Sequence, residues 1–339
     1  MSKLIDAINE VVAQFLGENR TWTVSEGKSG YNNTTRYIEC DEQKYIVRIY
    51  ESHQDLKKVK LEHEVLLKLQ EIRDLPFQVP VPLIAKNGDT MVRLNDTSMK
   101  IACMYHFIIG ENPTLDHPEI IYSFGQRTGS LLKALYELKL NNTMIYRPYY
   151  EIEHTYPELP INKIAEWCYD PPHEFTKYKN ELLWIKQQLV DFKQYVPTLK
   201  KLPHQLIHGD LNASNILQTS EAISAILDFE FVTNDLRVME AAVCISELIV
   251  GEQNQTRLWE NIEAFVNGFT SLISLEKAEI EALPILVQLR RLDVFVHFLG
   301  RYLENIDDKQ VLEEQIVKAA ANPQWLQEGG ENLKLLFRN

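Results

Sequence analysis

The stretch that most constrains the fold of this 339-residue chain runs from residue 208 to residue 231. It begins His-Gly-Asp-Leu-Asn-Ala-Ser-Asn, which places His208 at the start of a polar loop and Asp210 five positions before Asn215. A second carboxylate, Asp228, ends the short apolar run Ala-Ile-Leu. These three oxygen-bearing side chains can converge if the chain between them folds back on itself.

The chain between Asn215 and Asp228 carries the signals of a β-hairpin. Ile216–Leu217 and residues 223–227 are β-prone, and a polar four-residue turn separates them. Mg²⁺ prefers carboxylate and amide oxygens and needs few of them from the protein, so the pattern predicts a magnesium phosphoryl-transfer site in which Asp210 meets the substrate hydroxyl. The alternative is that Asp210 and Asn215 only cap a turn, because Asp and Asn are ordinary turn formers.

This segment resembles the catalytic loop of the aminoglycoside phosphotransferase superfamily, which reads His-Gly-Asp followed five positions later by Asn. The superfamily includes choline kinases, type II homoserine kinases and methylthioribose kinases. The resemblance implies that Asp210 is catalytic, that His208 braces the loop, and that Asn215 and Asp228 bind Mg²⁺. Glu230 stands where protein kinases carry the Gly of Asp-Phe-Gly, which favours a small-molecule kinase over a protein kinase.

The fold that the resemblance implies is α+β and bilobal, as in protein kinases. Residues 1–107 would form a nucleotide-binding lobe with a small antiparallel sheet and one main helix. Residues 108–339 would form a larger, mostly helical lobe that carries catalysis and substrate binding. The residues themselves predict an amphipathic helix from Leu4 to Leu16, expected to pack on a sheet, and β-prone segments at Thr21–Val24 and Thr35–Cys40.

A polar, glycine-containing stretch at residues 25–34 separates the first two β-prone segments. Glycines let the backbone approach a phosphate closely, although a plain hairpin loop explains the same residues. The resemblance places the nucleotide-covering loop here, with Ser29, Gly30 and Asn32 as candidate ATP contacts.

Arg48 is the one fixed charge on the alternating strand 45–50. In kinase-like folds a strand Lys contacts the ATP phosphates and is steadied by a helix Glu. The resemblance assigns these positions to Arg48 and Glu64, with Glu62 as a competitor for the second role. The alternative is a surface Arg on an edge strand and a solvated helix Glu.

The buried run 100–105 leads into a segment with Gly110 and Pro113, as expected for a hinge between two lobes. The resemblance implies that the backbone of Met104, Tyr105 and Phe107 reads the adenine ring. On the residues alone, this is a strand followed by a turn.

From Asp116 on, the apolar periodicity is mostly helical, and Gly125 and Gly129 permit close packing of one such helix. Residues 233–242 resemble the family's Asp-x-x-x-Asp-Leu-Ala signature, with Glu240 in place of the second Asp. We expect Asp235 to cap a helix that begins at the next residue. The final apolar-periodic helix, 276–303, carries polar residues at Arg290, Arg291, His297 and Arg301. The candidate acceptor-binding residues are Asp210, Glu230, Asp235 and Arg301.

Composition narrows the possible partners. A net charge of −13 disfavours nucleic acid and anionic membranes and favours a small, possibly cationic acceptor. The Arg48 strand and the Arg-rich final helix resemble the type II homoserine kinase branch most. Homoserine, amino alcohols, aminoglycosides and sugar-like thioethers are all acceptors within the superfamily, so the resemblance leaves the acceptor open.

The four cysteines are far apart and form no Cys-x-x-Cys pair, which argues against a disulfide framework or a zinc site. The early acidic residues exclude a secretory signal, and no apolar run reaches the length of a membrane span, so we expect a cytoplasmic protein. The competing functional hypothesis is a catalytically silent kinase-like fold that binds a nucleotide or a partner. Its usual mark is loss of the base or of a metal ligand, and the chain has lost neither.

Overall fold

The computed structural model describes residues 2–27, 33–51, 55–95, 98–220, 222–252, 254–321 and 328–338. The chain forms two compact units, each built from separate segments. The first unit comprises Met1–Glu111, Leu138–Ile145 and Ser224–Glu230, and the second comprises Asn112–Glu137, Tyr146–Ile223 and Phe231–Asn339. The predicted contacts Ser29, Gly30 and Asn32 lie outside the described residues.

The first unit contains a five-stranded antiparallel sheet with the order β1-β2-β3-β5-β4. Its strands are β1 (Trp22–Glu26), β2 (Asn33–Cys40), β3 (Gln43–Tyr50), β4 (Val92–Arg93) and β5 (Ile101–His106), and its helices are α1 (Ser2–Leu16) and α2 (Leu56–Gln70). Strands β2 and β3 are joined tightly because Asp41 and Glu42 both adopt positive φ, at 50° and 64°, as the turns of two-residue hairpins require.

Helix α1 buries its apolar stripe on one face of this sheet. Ile8, Val11 and Val12 are completely buried and share a core with sheet residues such as Val47 and Met104. Burial of each such side chain contributes about 1.5–3 kcal/mol. The predicted amphipathic helix and its packing on a sheet are therefore confirmed.

The second unit is mostly helical. Its helices are α3 (Pro118–Glu137), α4 (Ile152–Thr155), α5 (Ile161–Tyr169), α6 (Lys179–Phe192), α7 (Val196–Leu199), α8 (Arg237–Gly251), α9 (Gln255–Thr270), α10 (Lys277–Leu303), α11 (Lys309–Ala320) and α12 (Gly330–Arg338). Two small sheets complete the fold: β6 (His204–Ile207) pairs with β9 (Thr233–Leu236), and β7 (Ile216–Thr219) pairs with β8 (Ala222–Ile226). The α+β class and the predicted hairpin are confirmed.

Helices α3 and α9 cross with their backbones in contact. A Cβ atom at Gly125 would lie 2.1 Å from the carbonyl oxygen of Phe265, and one at Gly268 would lie 2.0 Å from that of Tyr122. Neither distance is compatible with a side chain, so each glycine admits the opposing helix. The close packing predicted for Gly125 is confirmed, and Gly268 supplies the matching position on α9.

No helix among the described segments is both long enough and apolar enough to span a bilayer.

Candidate active site

Hydrogen bonds from main-chain amides to side chains hold the loop from His208 to Asn215 in place. The amides of His208 and Gly209 donate to Oε2 of Glu240 on α8, at 2.5 and 3.3 Å. The amide of Asp210 donates to Nδ1 of His208 at 3.2 Å. Gly209 has a φ of +79°, which L residues rarely adopt. The fully buried His208 thus braces the turn through its ring.

Asp210 and Asn215 lie together in this loop. Nδ2 of Asn215 donates to Oδ2 of Asp210 at 3.0 Å and to its carbonyl oxygen at 2.8 Å. The turn at residues 213–215 is capped by Asn212, whose Oδ1 accepts from the amide of Ser214 at 2.9 Å. Asn212 thus caps this turn, Asn215 also closes it through the carbonyl oxygen of Asp210, and Oδ1 of Asp210 is left to face other groups.

The other oxygen of Asp210 is bound by Arg290, which α10 supplies. Nη2 of Arg290 donates to Oδ1 of Asp210, and Nη1 donates to the hydroxyl of Tyr149 at 2.6 Å. That hydroxyl donates in turn to the carbonyl oxygen of Gly209 at 2.6 Å. Burial acts to lower the pKa of Arg290, but Tyr149, Asp210 and Asp293 together raise it above its ordinary value, so the guanidinium stays charged.

Asp293 lies three positions after Arg290, on the same side of α10. Burial raises its pKa to about 6, with a further increase from the charge of Asp210 and a decrease from Arg290. Within the described part of the chain, its carboxylate makes no hydrogen bond or ion pair. It also interacts electrostatically with Tyr149 and Tyr156. Asp293 is thus an acidic group beside the proposed catalytic residue, with Arg290 as the positive charge that acts on it among the described residues.

From the sequence, Tyr149 was only one of the aromatic residues in the stretch 141–175 that could wall a substrate pocket or simply pack there, Arg290 was only a polar residue of the final helix, and Asp293 had no predicted role. The sequence signal that could have identified Arg290 and Asp293 is their spacing of three residues within an apolar-periodic helix. Helical spacing shows that two residues share a side, but it does not show which loop they face.

Asp235 does not cap a helix, contrary to the sequence prediction. It belongs to β9, where it pairs with Gln205, and helix α8 begins at Arg237. Its oxygens accept from the amides of Tyr149 and Leu236, each at 2.6 Å. Burial raises its pKa to about 7 against the effect of these two amides. Because Asp235 is completely buried, it supports Tyr149 and offers no surface to an acceptor.

Glu240 is also completely buried, and burial raises its pKa to about 7, although the amides of His208 and Gly209 act in the opposite direction. Its Oε1 atom has no hydrogen-bond partner among the described residues. Glu240 therefore anchors the loop with one oxygen only.

Arg301 is a further correction. Its Nε and Nη2 atoms donate to the two carboxylate oxygens of Asp307 at 2.5 and 2.9 Å, in an ion pair just beyond the end of α10. The expected acceptor contact at Arg301 is therefore not supported, and Arg290 is the arginine of this helix that reaches Asp210.

The first unit holds a second group of predicted residues around Arg48. Nη1 of Arg48 lies 3.3 Å from Oε1 of Glu62 and 3.3 Å from Oδ1 of Asp228. Glu62 is buried, and Oε2 of Glu62 accepts from the hydroxyl of Tyr50 at 3.0 Å. Burial raises the pKa of Glu62 to about 7, against the effect of Arg48.

Glu64, the predicted partner of Arg48, faces elsewhere. Its carboxylate accepts from the amides of Asn141 and Asn142 at 2.6 and 2.9 Å. The charge on Arg48 is therefore steadied by Glu62, the competitor that the sequence analysis kept open, and Glu64 fastens the segment at residues 141–142.

The predicted adenine-reading backbone is already engaged in the sheet. Met104 pairs with Val47 across β5 and β3, its carbonyl oxygen accepts from the amide of Leu83 at 2.7 Å, and the amide of Phe107 donates to Lys44 at 3.0 Å. On the other side of β5, β4 pairs only with Ile101 and Ala102, and Tyr105 forms an isolated bridge with Pro82. Met104 and Phe107 thus do not offer these groups to a nucleotide.

The side chain of Tyr105 belongs to a buried polar chain and not to a nucleotide pocket. Its hydroxyl lies 3.0 Å from that of Tyr50 and 2.9 Å from Nε2 of His63. Burial lowers the pKa of His63 to about 3, helped by the nearby charge of Arg48. The neutral imidazole therefore acts as a hydrogen-bonding link behind Arg48.

Asp228 and Glu230 are in the same unit as Arg48. Asp228 has a φ of 62°, and its side chain is 30% exposed, so its carboxylate is accessible to an ion as well as to Arg48. Nδ2 of Asn33 lies 3.4 Å from Oε2 of Glu230. Carboxylate oxygens at Asp228 and an amide oxygen at Asn215 are the donor types that suit Mg²⁺.

The chain is similar to known phosphotransferases in both sequence and fold. Residues 23–265 match the model of the phosphotransferase enzyme family. A homoserine kinase of Zymomonas mobilis is 21% identical over 285 residues, which cover 83% of this chain and 82% of that protein. The chain spans only 36–37% of the length of the first curated relatives it matches, which are also named homoserine kinases.

Two solved structures share the kinase-like fold. The microcompartment-associated aminopropanol kinase has a TM-score of 0.67 at 18% identity, covering 97% of this chain and 99% of that one. The amicoumacin kinase hAmiN, solved in complex with AMP-PNP, Ca²⁺ and Ami, has a TM-score of 0.65 at 14% identity, covering 94% and 96%.

Proposed function

Because the chain belongs to the phosphotransferase enzyme family, we propose that it transfers the γ-phosphoryl group of ATP to a hydroxyl group of a small molecule. The observation that carries the proposal is the carboxylate of Asp210, whose two oxygens are oriented separately by Asn215 and Arg290. Phosphoryl transfer depends mainly on positioning and on stabilisation of charge, and a base fixed in this way serves both.

Asp210 orients the acceptor hydroxyl and takes up its proton. Each carboxylate oxygen has about two acceptor sites, so the hydrogen bonds from Asn215 and Arg290 leave room for the acceptor. A loose transition state releases the proton late, and the base therefore needs correct direction more than high basicity.

Asn215 and Asp228 stay the predicted magnesium ligands, supported by their oxygen donor types and by the partial exposure of Asp228. Bound Mg²⁺ would neutralise charge on the phosphates. The amide nitrogen of Asn215 is engaged with Asp210, which directs its amide oxygen away from that carboxylate.

For the nucleotide, Arg48 supplies positive charge toward the phosphates, and Glu62 holds it. The loop with Ser29, Gly30 and Asn32 stays the predicted phosphate cover. Binding of ATP is supported by the family and by the AMP-PNP in the amicoumacin kinase structure.

We infer that the acceptor carries an amino group. The support is Asp293, a desolvated carboxylate near Asp210 that makes no hydrogen bond or ion pair among the described residues, while the positive charge that acts on it, Arg290, is bound to Asp210 and Tyr149. A primary ammonium group would satisfy it by a charge-assisted hydrogen bond. The names of the relatives agree, since homoserine and aminopropanol each contain one amino and one hydroxyl group.

The experiment is an ADP-release assay with Mg²⁺ and ATP over a panel of L-homoserine, 1-amino-2-propanol, ethanolamine, choline and an aminoglycoside. We expect acceptor-dependent turnover that falls at least about 10³-fold in Asp210→Ala, while calorimetry shows nearly unchanged ATP binding. Wild-type protein that binds ATP but is no faster than Asp210→Ala would contradict the proposal and favour the catalytically silent alternative.

A cytoplasmic location also stays a prediction. All four cysteines are buried free thiols, as is common in a reducing compartment.

A further inference from the structure

We propose that Arg290, clamped by Tyr149, is a positioning residue that fixes the carboxylate of Asp210 for attack by the acceptor hydroxyl. The inference rests on the proposed function, because it assigns a part in the same reaction. It depends on a closed ring of contacts that the catalytic loop does not form by itself.

Asn215 and Arg290 bind the carboxylate of Asp210 from two different directions. Nδ2 of Asn215 reaches Oδ2 at 3.0 Å from within the loop. Arg290 reaches Oδ1 from a helix 80 positions away in sequence. One bond to each oxygen fixes the plane of a carboxylate, which a single bond leaves free to rotate. Asn215 alone would orient Asp210 only relative to its own loop, whereas Arg290 ties the carboxylate to α10.

Tyr149 in turn holds the guanidinium of Arg290. Its Nη1 donates to the hydroxyl of Tyr149, which donates to the carbonyl oxygen of Gly209, each at 2.6 Å. The peptide bond from Gly209 to Asp210 closes the ring. Because a guanidinium is planar and rigid, holding one nitrogen also sets the direction of the other. The amide of Tyr149 is itself held by Asp235 at 2.6 Å.

The pair of Arg290 with Asp210 is better explained by positioning of the base than by stabilisation of the fold. A buried ion pair is a poor source of stability, because desolvation of two charges offsets most of their attraction. The second unit has an arginine pair with no contact to the loop, Arg237 with Glu279 on α10. Arg290 instead places its charge on the proposed base, and seven donor–acceptor contacts among the described residues converge on residues 209–210.

The test uses the full chain with Arg290→Ala, Arg290→Lys and Tyr149→Phe. The matched controls are Tyr150→Phe, which removes the hydroxyl that contacts His204 at 2.9 Å, and Arg237→Gln. Kinetic constants for ATP and for L-homoserine or 1-amino-2-propanol are measured together with the melting temperature.

We expect Arg290→Ala to lower kcat by about 10²–10³-fold and Tyr149→Phe by about tenfold, with the KM for ATP changed less than about threefold. The double variant should be no slower than Arg290→Ala, since Tyr149 acts through Arg290. Free guanidinium at millimolar concentration should restore part of the activity of Arg290→Ala but none of that of Asp210→Ala. Both controls should keep kcat within about twofold of the wild type.

The inference is overturned if Arg290→Ala and Arg237→Gln lose activity in proportion to their loss of melting temperature, or if guanidinium restores nothing and the double variant is additive. If the wild type phosphorylates none of the panel, the proposed function fails. The inference is then tested by the rate of slow ATP hydrolysis, in which water replaces the acceptor hydroxyl. The same order of rates among the variants supports the inference, and equal rates for Arg290→Ala and the wild type overturn it.

Discussion

At the scale of single residues, two positions on a helix decide which glutamate meets Arg48. Each residue turns a helix by about 100°, so Glu62 and Glu64 project about 200° apart. Glu62 precedes the buried Val65 and Leu66 by three and four positions and therefore shares their face. This spacing was visible in the sequence and favours Glu62, whereas comparison with a kinase pattern alone had put Glu64 first.

The prediction at this scale compares Glu62→Gln with Glu64→Gln. Loss of the buried charge beside Arg48 should raise the KM for ATP about tenfold or more and lower the free energy of unfolding by about 1–3 kcal/mol, since Asp228 and Tyr50 still offer partners. Glu64→Gln should change the KM for ATP less than about twofold, because the carboxylate of Glu64 binds Asn141 and Asn142 and not Arg48. Steady-state kinetics and urea unfolding measure both, and a larger KM effect from Glu64→Gln would refute the assignment.

At the scale of elements, the crossing of α3 and α9 brings two backbones closer than side chains allow. Gly125 was identified from the sequence because it lies on an apolar helical face. Its counterpart Gly268 was not, since a glycine on α9 carries no information about which helix it opposes. Pairings between distant helices depend on tertiary packing, which local periodicity does not encode.

Replacement of these glycines by alanine should therefore be severe. The added methyl group would meet backbone atoms that cannot rotate away, and we expect Gly125→Ala and Gly268→Ala each to lower the free energy of unfolding by about 3 kcal/mol or more. Gly300→Ala on α10 is the matched control, because nothing lies within 4 Å of its added Cβ. It should raise stability by up to about 1 kcal/mol through better helix propensity. Equal effects at Gly125 and Gly300 in thermal or urea unfolding would contradict the crossing.

At the scale of the whole molecule, buried carboxyls make stability depend on pH. Burial raises the pKa of Glu62, Asp235 and Glu240 to about 7. The folded chain thus holds protons that the unfolded chain releases at about pH 4. Their stabilising contribution is fully present below that pH and is lost as the pH rises through 7. His63, with its pKa lowered to about 3, acts in the opposite sense, because stability is lost below its unfolded value of about 6.5.

Glu240→Gln isolates one of these groups. The amide keeps a carbonyl oxygen for the backbone donors of His208 and Gly209 and carries no charge at any pH. The fall in unfolding free energy between pH 5 and pH 8 should be smaller in the variant than in the wild type by about 1–3 kcal/mol. Urea unfolding at four pH values gives the two curves, and parallel curves would show that Glu240 does not titrate in this range.

Sequence reasoning reached the α+β class, the first helix on its sheet, the 216–226 hairpin and the closeness of Asp210 to Asn215. These features follow from local patterns of two to sixteen residues. It missed strand β9 at residues 233–236, because a short strand directly before a helix looks like a helix cap. It also missed the contacts of Tyr149 and Arg290, which join segments 60 and 80 positions from the loop they hold. Such contacts depend on the assembled core and leave no periodic signal.

One turn of α10 carries both the guanidinium that directs the base and the carboxylate that would recognise the acceptor amine, while the His-Gly-Asp loop is anchored independently by Glu240. Base orientation and acceptor selectivity would thus be encoded within one helical turn, apart from the His-Gly-Asp loop itself. New acceptors could then arise by a few codon changes on this helix, provided that Arg290 is kept. A mutant library confined to residues neighbouring Asp293 on α10 is therefore the smallest library that we expect to change the acceptor selectivity of this protein.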